Sequence, residues 1–318
     1  MRQNRYLKVG LGFFGLVVLL ALLMALTLNS SDPSLAQDGP DQTEEPADDE
    51  NGEVTPPDPN SEDIVERGEY LVRVEIACVG CHGASPDYKE DALGVDLIGG
   101  RAFELPFGVV YGPNLTVLSD WSAQEIENAI RYGVRPDGTV LLPPMSYHLH
   151  EGMADEDMDA IVAYLQSLEP VENEIPDAEL AEDLTREMIR TVPEFDPEME
   201  YSYPEDMEED PLVRGTYMAR HTSHCIACHG SVDENGMVIV DGPAAGEAIP
   251  DYPSLLEDDM QSWTDEELYT LLKEGIHPKQ GGRDIFEMPT YSYQYMVDSD
   301  VEALIAWIRS QPSITEIE

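Results

Sequence analysis

EIACVGCHG, Glu75 to Gly83, and RHTSHCIACHG, Arg220 to Gly230, together hold every cysteine of the 318-residue chain. In each stretch two thiols stand three positions apart with a histidine directly behind the second: Cys78, Cys81 and His82, then Cys225, Cys228 and His229. Three chemistries use such a pair. A disulfide-exchange pair needs only the thiols and leaves the two histidines without a role. A zinc site would want a second ligand pair nearby in sequence or by repeat geometry. Cys-x-x-Cys-His is also the attachment signature of c-type haem. Thiols one helical turn apart add to the two vinyl groups on one edge of a porphyrin, and the next imidazole is carried beneath the ring to the iron. Two such pentapeptides that use all four cysteines point to two haem c groups, one on Cys78, Cys81 and His82, the other on Cys225, Cys228 and His229.

The surrounding chain repeats itself. Gly68 and Tyr70 precede Cys78 in the register in which Gly215 and Tyr217 precede Cys225. Downstream, DWSAQEIENAIRYG (Asp120 to Gly133) answers SWTDEELYTLLKEG (Ser262 to Gly275). Each opens with a capping box, Ser122 with Glu125 and Thr264 with Glu267, and each ends at a glycine, so two matching helices are predicted. The segments that begin at Met145 and Met288 align without gaps and close in amphipathic helices bearing Tyr164 and Trp307. No stretch alternates as a strand would. The expected class is therefore all-α: two tandem helical domains, residues 63–170 and 207–318, joined by an acidic linker, 171–206. Within that linker DAELAEDLTREMIRTV, Asp177 to Val192, reads as helical.

These residues resemble a tandem of two class I cytochrome c domains. GGRAFELPFGVVYGPNLT, Gly99 to Thr116, is especially similar to the cytochrome c subunits of membrane-bound alcohol and sugar dehydrogenases, which usually have three haem domains where this chain has two. The resemblance implies that the first and last helices of each domain cross, Gly68 against Tyr164 and Gly215 against Trp307. It also implies a methionine as sixth iron ligand, on a proline-flanked loop just before the last helix. Met145 follows Pro144 and Met288 precedes Pro289, so these two are the expected axial ligands opposite His82 and His229. Arg101 and Asn114 resemble positions near the haem propionates. Met153 and Met296 repeat eight residues further on and read as adaptable core filler. His148 and His150 are the rival ligands to Met145; His221 and His224 are expected to face solvent, with switch groups near the iron as the alternative; Trp121 and Trp263 are expected in the core, with electron relays as the alternative.

Ahead of the repeats, Arg2, Arg5 and Lys8 precede an uncharged run from Val9 to Leu28. Twenty helical residues rise about 30 Å, the thickness of a hydrocarbon core, so residues 1–28 are expected to be a retained transmembrane anchor. Basic residues hold its N-terminus in the cytoplasm and place the rest on the outer face of the membrane; cleavage near Ser34-Leu35-Ala36 and secretion is the alternative. Residues 29–62, rich in Pro, Asp and Glu, are expected to form a disordered acidic tether. Against 17 basic residues stand 65 acidic ones, a formal net charge of −48. That charge excludes nucleic acid as a partner and favours redox proteins with basic docking surfaces.

An iron closed by histidine and methionine offers no site to a substrate. The expected function is that of a membrane-anchored dihaem carrier of single electrons, between a respiratory reductase or dehydrogenase and a terminal acceptor. The alternatives are a dihaem redox enzyme, resembling thiosulfate dehydrogenases or peroxidases, and a fixed electron-transfer subunit of a dehydrogenase complex.

Overall fold

The first helix of each repeat starts on an aspartate. Asp63 accepts a hydrogen bond from the Val65 amide at 2.9 Å and opens α1, Ile64–Tyr70; this helix widens into a π turn, Leu71–Glu75, before α2, Val79–His82. These elements belong to a computed structural model that describes residues 55–84, 91–190, 194–234, 237–248, 254–256, 258–279 and 288–312, all within one compact unit. The apolar run Val9–Leu28 and most of the expected tether lie outside the described residues, and among the described residues no helix is long and apolar enough to cross a membrane. Residues 55–62 pack rather than dangle. Pro57 and Pro59 are buried, and the Pro59 carbonyl accepts from Arg67 Nη1 at 3.2 Å.

The first domain continues with β1, Ala102–Leu105, β2, Gly108–Tyr111, α3, Ala123–Tyr132, α4, Tyr147–His150, and α5, Asp155–Ser167. The capping box predicted at Ser122 and Glu125 is formed, and α3 ends on Gly133 at φ 68°, a left-handed position that glycine adopts without strain. The expectation of an all-helical chain is corrected here. β1 and β2 form an antiparallel hairpin with Phe103 opposite Val110, and β3, Glu179–Leu180, adds a third strand from the linker. Two strands of four residues and one of two are too short to show alternation along the sequence.

The linker is not the helix expected over Asp177–Val192. Among its described residues it has, apart from β3, a short α6, Arg186–Ile189, and it wraps the first domain as a belt. The Val171 carbonyl accepts from Asn114 at 2.8 Å, Asn173 donates to the Ile98 carbonyl at 2.9 Å, and Phe195 stacks on Tyr132 with ring centroids 4.2 Å apart. Its acidic side chains mostly face water, while its backbone satisfies polar groups of the domain it covers.

The second domain repeats the plan: α7, Pro211–Tyr217, a π turn over Met218–Thr222, α8, Cys225–His229, α9, Asp258–Gln261, α10, Asp265–Glu274, α11, Thr290–Tyr293, and α12, Asp298–Ser310. The second capping box, Thr264 with Glu267, is formed as predicted. First and last helices cross at glycine in both halves. A Cβ on Gly68 would stand 1.9 Å from the Ala160 carbonyl oxygen and 2.7 Å from Tyr164 Cβ; one on Gly215 would stand 1.8 Å from the Ala303 carbonyl oxygen. Backbone is thus in contact with backbone. In the second half the nearest atoms belong to Ala303 and Leu304.

The two halves dock reciprocally, the pattern of a twofold interface built within one chain. Tyr70 donates to Asp300 Oδ2 at 2.6 Å and accepts from the Val297 amide at 3.1 Å. Its repeat partner Tyr217 donates to Asp157 Oδ2 at 2.6 Å and accepts from the Ala154 amide at 3.0 Å. Arg67 pairs with Asp157 and Arg214 with Asp300. Each aspartate lies in the first turn of its helix, where the helix dipole favours negative charge. Between the pairs, equivalent positions meet: Thr222 Oγ1 donates to the buried carboxyl of Glu75. Burial, with Asp300 and Asp157 nearby, pushes the Glu75 pKa up to about 8.

Candidate haem centre

The Cys-x-x-Cys-His motif is presented by a backbone device that occurs twice. In the π turn the Ile76 amide reaches back five residues to the Leu71 carbonyl, at 2.8 Å, and the Cys78 amide reaches Val72, at 2.9 Å. Ala77 then turns left-handed, φ 57°, and α2 begins. The second domain does the same, with Ser223 bonded to Met218 at 2.7 Å and His224 at φ 51°. One turn of helix sets Cys78 and Cys81 on a common face with His82 beside them. Cys225, Cys228 and His229 share the single turn of α8 in the same way.

His82 is oriented by its far nitrogen. Nδ1 lies 2.9 Å from the Pro113 carbonyl oxygen, to which it donates as N–H, and this leaves Nε2 with its lone pair for a metal. Burial in the pocket lowers the His82 pKa and keeps the ring neutral, the form that ligates. The turn behind each histidine is closed alike: the Gly99 amide bonds the His82 carbonyl at 2.8 Å and the Gly246 amide bonds that of His229 at 2.6 Å.

Cys78, Cys81 and His82 open onto a cavity of about 1110 Å³ whose wall also includes Met145, Trp121 and Ile161. A porphyrin fits this donor set. The thiols of Cys78 and Cys81 are not joined to each other, the imidazole is neutral, a thioether shares the cavity, and the remaining wall is largely apolar. The methionine loop is held from outside, as Arg190 Nη1 of the linker donates to the Met145 carbonyl at 2.9 Å.

Other expected residues fall in more varied places. Asn114 lines the cavity, with its Oδ1 accepting from the Thr116 amide at 2.9 Å. Arg101 is directed to the Gly80 carbonyl and stacks over Phe103, 4.9 Å from its centroid, outside the cavity wall. Met153 and Met296 are fully buried in the core, as is Trp263, while Trp121 is half-buried. Met288 is half-buried at the edge of the second core and lies just ahead of α11, next to residues 280–287, which are outside the described residues. Of the rival ligands, His150 lines the cavity and His148 does not.

The expectation that His221 and His224 face solvent is corrected. Both lie in the domain interface: His221 Nδ1 meets the Leu149 carbonyl at 2.8 Å, and His224 Nε2 meets His150 Nδ1 at 3.2 Å. Sequence reasoning also missed that linker residues 172–178 and Arg186 wall the first cavity. Ile175 and Pro176, apolar residues inside an acidic run, were the one signal for it.

Residues 65–169 match the family described as cytochrome c, and residues 214–308 match the cbb3-type cytochrome c oxidase subunit III family. With the paired motifs and the helical frames around them, this makes the chain a tandem c-type cytochrome, and cytochrome c domains imply haem c. It is similar to the fructose dehydrogenase cytochrome subunit of Gluconobacter japonicus, 27% identical over 79% of this chain and 53% of that protein. It is also similar to the alcohol dehydrogenase (quinone) cytochrome c subunit of Gluconacetobacter polyoxogenes, 27% identical over 79% of this chain and 56% of that protein. A diheme cytochrome c-type protein of Cereibacter sphaeroides is 23% identical over 74% of this chain and 82% of its own length. The chain thus spans little more than half the length of the two dehydrogenase subunits.

Proposed function

We propose that the chain holds two haem c groups, on Cys78, Cys81 and His82 and on Cys225, Cys228 and His229, and carries single electrons from a dehydrogenase or reductase to a terminal acceptor. The observation that supports this is that His82 and Met145 line one cavity, so a haem bound there would have an imidazole and a thioether available as its two donors and no position left for a substrate. Met288, at the repeat position of Met145, is assigned the same role opposite His229. Bound there, haem supplies a reversible one-electron couple. The protein's part is to hold it in a dry, packed shell, with Pro113 fixing the His82 ring and Arg190 fixing the methionine loop.

A dehydrogenase as donor is supported by the similarity to cytochrome subunits of fructose and alcohol dehydrogenases. The run Val9–Leu28 is proposed to tether the head to the outer face of the cytoplasmic membrane. A net charge of −48 suits encounter with a basic surface. Mass spectrometry after acid–acetone treatment should show the polypeptide plus two haems. Carbon monoxide added to the reduced protein should leave its spectrum unchanged; strong binding at either haem would replace the carrier with an enzyme. Electron-transfer rates to a basic partner should fall as salt rises, and a flat dependence would remove the charge-steered encounter.

A further inference from the structure

His150 and His224 meet across the boundary between the two domains. His224 Nε2 lies 3.2 Å from His150 Nδ1, the ring centroids are 4.3 Å apart, and the rings are nearly perpendicular, at 77°. The pair crosses the boundary between the two halves. Both histidines line the first-domain cavity, with Cys78, His82 and Met145. His224 is also the residue immediately before Cys225, the first thiol of the second motif. One hydrogen bond and one peptide link therefore join the first cavity to the second attachment site.

The repeat itself shows that this histidine is not required by the turn it occupies. Its twin, Ala77, adopts the same left-handed conformation before Cys78, φ 57° against 51°. The twin of His150 is Tyr293, whose hydroxyl donates within its own domain to the Ser223 carbonyl at 2.7 Å. The reciprocity that Tyr70, Tyr217 and their aspartates obey is thus broken here, and it is broken by two imidazoles in contact. Burial pushes the His224 pKa down to about 3 and that of His150 below the usual imidazole value. Both rings are then neutral, so one N–H donates to the other ring's lone pair without charge repulsion.

We infer that the His150–His224 pair is the bridge by which an electron crosses between the two haem domains. This rests on the carrier function proposed above. Electronic coupling between separated redox centres is stronger through covalent and hydrogen-bonded contacts than across gaps, and here one hydrogen bond and one peptide link run from His150, in the wall of the first cavity, to Cys225. In the transfer one ferrous centre becomes ferric as the other goes from ferric to ferrous. No bond is made or broken, no proton leaves, and neither imidazole changes oxidation state.

The test uses the full haem-loaded chain, with one electron injected by a reducing pulse and its redistribution between the two haems followed spectroscopically. His224→Ala copies the residue that already occupies the twin position, so the turn should survive. Redistribution should slow several-fold beyond what any change in the two haem potentials, measured on the same variant, accounts for. His150→Phe, which keeps a ring but loses the hydrogen bond, should slow it as well and serves if the alanine variant is poorly folded. Redistribution at the parent rate in either folded variant overturns the bridge. A parent protein with both haems attached and no redistribution between them would overturn the bridge, whereas a parent in which neither haem takes up the injected electron would overturn the carrier function as well. If Tyr291→Leu, at the contact over Gly80, slows transfer while His224→Ala does not, the route runs there instead and the inference fails.

Discussion

Tyr70, on the first helix of the first domain, donates its hydroxyl hydrogen to Asp300, on the last helix of the second, at 2.6 Å, in full burial. The bond matters because its repeat image, Tyr217 to Asp157, is made in the opposite sense at the same distance. Two halves joined by a strand and a short helix are thereby locked at two points. Removing either hydroxyl leaves a buried carboxylate with one partner fewer and a backbone amide, Val297 or Ala154, with none from that tyrosine. Tyr70→Phe and Tyr217→Phe should each destabilise the protein by about 1–3 kcal/mol in urea or thermal unfolding. The double variant should lose less than the sum if the first loss already frees the interface.

Glu75 makes the docking sensitive to pH. Its carboxyl is raised from 4.5 to about 8, first by burial and then by Asp300 and Asp157. Between those values the native protein holds a proton that the unfolded chain has released, so stability must fall as pH rises. The contribution is complete below about 4.5 and gone once pH has passed through about 8. Glu75→Gln, which keeps a partner for Thr222, should abolish this component. The stability difference between parent and variant, followed by urea titration, should change across that window with a slope of at most about 1.4 kcal/mol per pH unit. A difference independent of pH would show that Glu75 is ionised in the folded protein throughout.

Close approach of the first and last helices depends on the absence of a side chain at two positions. Gly68→Ala would place a methyl 1.9 Å from the Ala160 carbonyl oxygen, and Gly215→Ala would place one 1.8 Å from that of Ala303. Neither contact can be relieved by turning a side chain, so the helices must separate. Each variant should cost at least about 1–3 kcal/mol, read as a lowered melting temperature. Unchanged melting would mean that the helices cross at a wider spacing.

Met145 is proposed as the second donor to an iron held by His82, and its removal should be visible without any partner protein. Met145→Ala should let the reduced protein bind carbon monoxide at one haem and should lower that haem's potential, since the thioether raises it. His150 also lines this cavity and could supply a nitrogen ligand once the thioether is gone; in that case carbon monoxide binding would be weak in Met145→Ala and strong in the double variant with His150→Phe. A spectrum and potential identical to the parent would remove Met145 from the axial position.

Local chemistry was legible before any coordinates. The spacing of Cys78, Cys81 and His82 is set by one turn of helix, capping boxes at Ser122 and Thr264 need only their own next three residues, and glycine at 68 and 215 marks a close crossing whatever lies across it. The small sheet escaped because strands of two to four residues have too little length to show a period. The linker escaped because its charge masks Ile175 and Pro176, which close the first cavity from outside. Partners that lie 147 and 230 residues apart, such as Glu75 with Thr222 and Tyr70 with Asp300, have no signature in either neighbourhood. Sequence alone therefore determined which donor groups each half presents and at what spacing. Only the tertiary structure decided how the halves face each other, because that depends on burying carboxyls and imidazoles against groups the chain brings together only when both domains are folded.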